Sequence, residues 1–342
     1  MSIASRKEQH VNLSLSGKAT FREKTAGFER YEFEYCALPE CDFRDVRIDT
    51  TFLGMPLRRP LMVTGMTGGY PDAERINAGI ASACVQAGIA MGVGSMRAAL
   101  TSSTPDPSFT VVREVSSEIP IIANLGAAQL AVWHRDGSLL DMVDRAIDMI
   151  GARALAVHLN PLQELLQPEG EPQFRGVLDA VEYLVASTRT TVIVKEVGAG
   201  ISGAVAQRLV DAGVTHIDVA GAGGTSWAGI EIMRRSDADS VDHLWDVGIP
   251  TAECIRQCRA IVPTLVASGG ISNGTECATA LALGAHIVGS ARPMLEAFSR
   301  GGTDAIVQLV DVWELHIRQW MFLAGSVSLD AFRATSPLTK RA

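Results

Sequence analysis

Residues 264–291 read TLVASGGISNGTECATALALGAHIVGSA, and this stretch decides the fold. It holds two short apolar runs, 264–270 and 285–291, with a helix-like segment at 275–283 between them. Each run ends in small residues that leave backbone N–H groups unpaired. Glycines beside the start of a helix suit a phosphate, because unpaired amides and the helix dipole both favour an anion. Gly269, Gly270, Gly289 and Ala291 are the candidates. Glycine pairs also make ordinary tight turns, so the position after two consecutive strands carries the reading.

Working outward, the same unit repeats. Apolar runs at 60–66, 88–94, 119–126, 152–160, 190–198 and 214–221 precede the two already quoted. Helical patterns at 72–87, 106–117, 139–150, 176–186, 202–212 and 250–260 alternate with them, and a last one covers 293–323. The runs are continuously apolar rather than alternating, which suits parallel strands buried on both faces. Eight strand–helix units imply a (β/α)₈ TIM barrel. An open doubly-wound sheet would place its glycine fingerprint after the first strand. Here the glycines follow the last two, where a barrel holds phosphate. Residues 1–58 read as an N-terminal extension packing on the barrel, with short strands covering one end, and 59–342 as the barrel itself. The loops at 160–175 and 221–249 are candidate lids or subunit contacts.

The 342 residues are 47% hydrophobic and 20% charged, enough for a large core. No run of 18 charge-free apolar residues occurs, so no membrane span is expected, and the N-terminus lacks an apolar signal core. A net charge of −8 argues against a non-specific nucleic-acid binder, though a few basic residues suffice for a small anion. Six scattered cysteines read as thiols of a reducing cytoplasm. Cys254 and Cys258 would share a helix face, but two ligands do not make a zinc site.

Polar residues gather where the runs end: Thr67, Ser95, Arg97, Asn124, His158, Asn160, Lys195, Asp218, Ser268 and Arg292. In a barrel these positions converge on one mouth. Loops are polar in any case, so the number of contributing elements is what counts. Lys195 closes the apolar run VIVKE and needs a partner, either an electron-rich ring or an ion pair with Glu196 or Asp218. The loop HLNPLQELLQPEGEPQF, 158–174, lets Gln163 and Glu164 begin a short helix over the mouth. Glu164 is then a magnesium ligand, one carboxylate alongside water and phosphates, or a solvated helix residue. Arg6, Lys7, Arg97 and His158 form a basic set fit for a diphosphate. GAGGTSW, 221–227, places Thr225 and Trp227 either against a planar ring or in a plain turn.

Together these runs resemble the type 2, flavin-dependent isopentenyl-diphosphate delta-isomerases. The resemblance rests on RKEQH (6–10), TGMTGG (64–69), GVGSMR (92–97), NLGA (124–127), HLNPLQELLQPEG (158–170), VIVKEVGAGIS (192–202), DVAGAGGTSW (218–227), ASGGI (267–271) and GSARP (289–293). It implies FMN at the mouth, its phosphate against Gly269, Gly270, Ser290 and Ala291, and its other contacts on Met66, Thr67, Ser95, Asn124, Lys195 and Thr225. Arg6, Lys7, Ser95, Arg97, His158 and Asn160 would hold the substrate diphosphate, Gln163 would face the hydrocarbon, and Glu164 would bind Mg²⁺. The implied reaction converts isopentenyl diphosphate to dimethylallyl diphosphate. It needs reduced FMN, with NAD(P)H as reductant, yet has no net redox change. Lys195 and Gln163 are the implied catalytic residues, and a homotetramer or octamer is implied. The chain departs from the family pattern at Gln9, Met96 and Val247-Gly248. Of these, Met96 lies next to Arg97 and would alter how that arginine is held.

Rival readings remain. Another FMN barrel, a 2-hydroxy-acid oxidase, would need a histidine and an arginine at the mouth, and His216 lies within the sixth run. A related dehydrogenase would need a cysteine in a mouth loop. A barrel kept only for binding or assembly has no use for the lysine and glycine sites.

Overall fold

The computed structural model describes residues 3–102, 104–115 and 118–341. Eight parallel strands close into a barrel in chain order: β1 (Leu61–Val63), β2 (Ala90–Gly92), β3 (Ile121–Gly126), β4 (Ala154–His158), β5 (Thr191–Lys195), β6 (His216–Asp218), β7 (Thr264–Ala267) and β8 (Ile287–Ser290). Closure comes from β8 pairing with β1, Val288 opposite Leu61. Every residue of β1, β2 and β3 is buried, as strands covered on both faces require. The strands are shorter than the apolar runs that announced them, because the ends of each run belong to the loops.

Side chains sort by strand parity. Met62, Ala90, Ile122, Ala154, Ala156, Ile193, Val266 and Ile287 fill the barrel interior, while Leu61, Val63, Met91 and Ile121 join the layer beneath the helices. A hairpin, Thr50–Phe52 paired with Met55–Leu57, inserts Phe52 and Leu57 into the interior cluster and plugs the N-terminal end of the barrel. The opposite end stays open and forms the mouth. A second pair, Tyr31–Phe33 with Leu338–Lys340, ties the N-terminal segment to the C-terminus, and Phe33 stacks on Trp320 at 4.6 Å.

Helices that carry or support residues of the mouth include α1 (Ile3–Leu15), α2 (Ala73–Ala87), α3 (Pro161–Leu166), α4 (Trp227–Met233), α5 (Gly274–Ala282) and α6 (Arg292–Leu323). α6 bends at Gly301 and Gly302, where φ and ψ leave the helical region. Several elements differ from the sequence reading, among them the short helices Arg97–Leu100 and Leu329–Thr335. Residues 3–15 form α1 rather than an irregular start, and the stretch 221–249, expected as loop, contains α4. A further helix, Ala127–Asp136, follows β3. The helix expected at 106–117 spans Pro107–Val115, and residues 116 and 117 lie outside the described part. No helix among the described residues is long and apolar enough to cross a membrane.

Candidate active site

The mouth is a cavity of about 870 Å³ ringed by the C-terminal ends of the strands, α1 and α3. Of the residues singled out by sequence, Arg6, Lys7, Met66, Ser95, Arg97, Asn124, His158, Asn160, Gln163, Glu164, Lys195, Thr225, Gly269, Gly270, Ser290 and Ala291 all line it. Thr67 does not. Its hydroxyl is bound to the buried Asn77 of α2, whose amide also donates to Ser108 O at 2.6 Å. Any ligand contact by Thr67 therefore falls to its backbone.

Beyond β7 and β8 the amides of Gly269, Gly270, Ile271 and Ala291 find no protein acceptor among the described residues. Gly269 has φ +98°, and a Cβ placed there would lie 2.1 Å from Gly221 O. Only glycine lets the 269–270 and 221–224 backbones approach this closely. Unpaired amides in a tight glycine cradle are what a ribityl phosphate requires, so the residues present fit FMN.

Lys195 ends β5 beside Asp218 on β6, the two being register partners. Neither proposed ion pair forms: Nζ donates to the main-chain carbonyl of Glu196, and Lys195 makes no ion pair among the described residues. The Glu196 carboxylate instead accepts the amides of residues 197–200 at 2.5 to 3.1 Å, fixing the turn after β5. Burial pushes the Asp218 carboxyl up, opposed by Lys195 and by hydrogen bonds from Ser268 Oγ and the Ala220 amide. A cation facing the cavity without a direct ion pair favours an anionic or electron-rich occupant.

Asn124 Nδ2 donates to Val93 O at 3.0 Å, so its Oδ1 must accept from His158 Nδ1 at 2.8 Å. His158 is thereby held in one tautomer, with a lone pair on Nε2. Burial first, and the charge of Lys195 second, push its pKa down to about 3. The ring is neutral in the ligand-free protein.

The mouth is lined by charges of both signs, with Arg6, Lys7 and Arg97 as its basic set. Lys7 on α1 donates to Ser95 O at 3.0 Å and sits 5.4 Å from the Phe109 ring. Burial lowers its pKa to about 8. Arg97 meets Glu171 at 3.3 Å in an exposed pair of little strength. Met96 is fully buried and points into the core, away from Arg97.

On the far side Asn160 donates to Gln163 Oε1 at 3.2 Å and to Glu164 Oε1 at 3.0 Å. Gln163 Nε2 donates to Glu231 Oε1 at 3.1 Å. Glu231, wholly buried on α4, also meets His10 Nε2 at 3.1 Å and Arg234. Burial pushes its carboxyl up, but His10, Gln163 and Arg234 outweigh this and hold it below the usual range. Glu231 and Asn77 escaped the sequence reading. Glu231 fell in a stretch taken as loop, and Asn77 is one of several polar residues of α2, sharing the buried face with Ala73, Ile76, Ile80 and Cys84. The described residues hold no cluster of three or more His, Cys, Asp or Glu arranged for a metal. A cation at Glu164 would therefore draw its other ligands from water and substrate.

The residues named for the rival readings do not line the mouth. His216 stands at the start of β6, 6.2 Å from Phe52 at the plugged end. Cys254 and Cys258 are buried in the helix Thr251–Cys258.

The chain matches the FMN-dependent dehydrogenase family over residues 3–161 and 164–337. It is 46% identical over 331 residues to an isopentenyl-diphosphate delta-isomerase of Vibrio parahaemolyticus serotype O3:K6 (strain RIMD 2210633), covering 95% of this chain and 96% of that protein. A protein of the same name from Stutzerimonas stutzeri (strain A1501) is 43% identical over 337 residues, covering 97% and 96%. Among solved structures, a mandelate oxidase mutant with a monooxide FMN adduct superposes with a TM-score of 0.65 at 21% identity, covering 97% of this chain and 92% of that one. This last likeness concerns the fold. Matched along nearly its whole length, the chain belongs to the FMN-dependent dehydrogenase family and, within it, to the isopentenyl-diphosphate delta-isomerases.

Proposed function

We propose that this protein isomerises isopentenyl diphosphate to dimethylallyl diphosphate with reduced FMN and Mg²⁺, and that NAD(P)H supplies the reducing electrons. One juxtaposition carries the reading. A glycine amide cradle, a lysine without a direct carboxylate partner and the basic set Arg6, Lys7 and Arg97 all face one cavity. FMN, when bound, would supply the proton exchange of the allylic shift.

The chain's residues do the rest. Gly269, Gly270, Ser290 and Ala291 hold the cofactor phosphate, while Met66, the Thr67 backbone, Ser95, Asn124 and Thr225 hold the remainder. Lys195 sets a positive charge where electron density accumulates. Arg6, Lys7, Ser95, Arg97 and Asn160 grip the diphosphate, with Arg97 exchanging Glu171 for it. His158 is neutral beforehand, so it offers Nε2 as an acceptor, and a neighbouring dianion draws a proton onto it. Glu164 holds Mg²⁺, which offsets the diphosphate charge. Gln163, fixed by Asn160 and Glu231, faces the hydrocarbon. Residues 1–58 serve as an extension on the barrel of residues 59–342, bringing α1 to the mouth and the hairpin to the base. We place the protein in the cytoplasm as a homotetramer or octamer. Its six free cysteines support the first, and the exposed Val312, Leu315 and Leu323 on one face of α6 support the second.

The test is an anaerobic assay of isopentenyl diphosphate with FMN, Mg²⁺ and NADPH or dithionite. Dimethylallyl diphosphate should form only with reduced flavin. Oxidation of a 2-hydroxy acid without isomerisation would overturn the reading.

A further inference from the structure

Under the floor of the mouth lies a second, much smaller chamber of about 20 Å³. Its polar walls are Thr64, Asn124, Lys195 and Asp218, and its apolar walls include Ala156 and Val266. Thr64, Asn124 and Lys195 also face the mouth above. A water needs roughly 10–15 Å³ of such space and two to four polar partners, whereas apolar chambers stay dry. This volume suits one water and no larger occupant.

The hydrogen bonds supply the partners. Asp218 is buried, and its Oδ1 takes both Ser268 Oγ at 2.6 Å and the Ala220 amide at 3.2 Å. Oδ2 accepts nothing from the described residues. Lys195 Nζ has three protons and spends one on the Glu196 carbonyl. The Thr64 hydroxyl makes no hydrogen bond among the described residues. Because Lys195 and Asp218 are register partners on neighbouring strands, their side chains enter the barrel side by side. They form no direct ion pair, and the chamber lies between their walls.

We propose that this chamber binds a single structural water joining Lys195 Nζ to Asp218 Oδ2, with the Thr64 hydroxyl as its third partner. Asp218 is then a positioning residue acting through that water. One Lys195 proton goes to Glu196, one to the water, and the third is directed into the mouth. The water site stands on geometry alone; the part that concerns flavin rests on the function proposed above.

The experiment compares ligand-free crystals of the wild type, Thr64→Val, Asp218→Asn and Ala156→Val at a resolution that shows ordered water. The wild type should show one peak about 2.7–3.1 Å from the three groups. Ala156→Val fills the chamber and should remove the peak and turn the Lys195 side chain. If that variant does not fold, the isosteric Thr64→Val gives the same reading by weakening the peak. In solution, Asp218→Asn and Ala156→Val should each weaken FMN binding about tenfold and shift the potential of bound flavin in the same direction. The double variant should be no worse than either single one. No peak in the wild type overturns the site, whatever the isomerase assay shows. An unmoved Lys195 and an unchanged flavin potential after the water is displaced overturn the positioning role.

Discussion

Replacing Gly269 with alanine tests the phosphate cradle, and the size of the effect can be worked from two features. At φ +98° the backbone is outside the range an L side chain adopts readily. Forcing alanine into left-handed backbone costs about 1–2 kcal/mol. The new Cβ would also lie 2.1 Å from Gly221 O and 2.5 Å from Gly221 N. Both are main-chain atoms that no rotamer change can move, and overpacking of this kind costs typically about 1–3 kcal/mol. The sum is about 2–5 kcal/mol. Moving the loop at 220–221 relieves it, and that motion pulls apart the amides that would hold phosphate. If even the lower figure falls on binding, FMN affinity drops about 30-fold. FMN titration by fluorescence quenching measures this. Gly137→Ala is the control, since Gly137 has φ +80° but nothing within 4 Å of the added carbon. It should cost stability and leave FMN affinity alone. A Gly269→Ala protein that folds and binds FMN like the wild type would refute the cradle.

Lys7 gives a pH dependence. Burial holds its pKa near 8 against 10.5 for a free lysine, so the ligand-free site loses this charge as pH rises through 8. The kcat/KM for the diphosphate should fall above that pH, and Lys7→Gln should flatten this limb. Between pH 8 and 10.5 the unfolded chain binds more protons at Lys7 than the folded one, so this residue's contribution to stability should rise with pH, as denaturant titrations can check. Glu231→Ala leaves Arg234 and His10 facing a buried gap and should cost about 3–5 kcal/mol in thermal or denaturant unfolding. Glu231→Gln should fold better but lower kcat, because Gln163 loses its charged acceptor; an unchanged kcat would remove Gln163 from the reacting end. Glu164→Gln should keep the flavin spectrum and lose Mg²⁺-dependent turnover, and normal metal dependence would reassign the ligand.

The barrel was legible because parallel strands buried on both faces must be apolar throughout, and eight such runs alternate with amphipathic helices. The mouth was legible because polar residues follow each run. Other features were hidden for physical reasons. α1 is polar on most faces, so its own pattern does not announce it; it is seated by Lys7, His10 and Val11 at the mouth. α4 has seven residues, too few for periodicity to emerge, and so Glu231 went unseen. Glu196 follows Lys195 directly, which invited an ion pair. Successive side chains at the end of a strand point opposite ways, so its carbonyl rather than its carboxylate meets the ammonium. Thr67 was read as facing the mouth, but Asn77, ten residues along on α2, turns its hydroxyl away. Met96 looked like a neighbour of Arg97 and is instead part of the core. In each case the outcome depends on a contact between elements, which spacing along one element does not encode.

The most direct measurement follows isopentenyl diphosphate anaerobically with product identification, in matched samples carrying oxidised FMN, reduced FMN or no flavin. Dimethylallyl diphosphate should appear only with reduced FMN, without net consumption of reductant per turnover. Formation of the same product at the same rate by flavin-free protein would contradict the account.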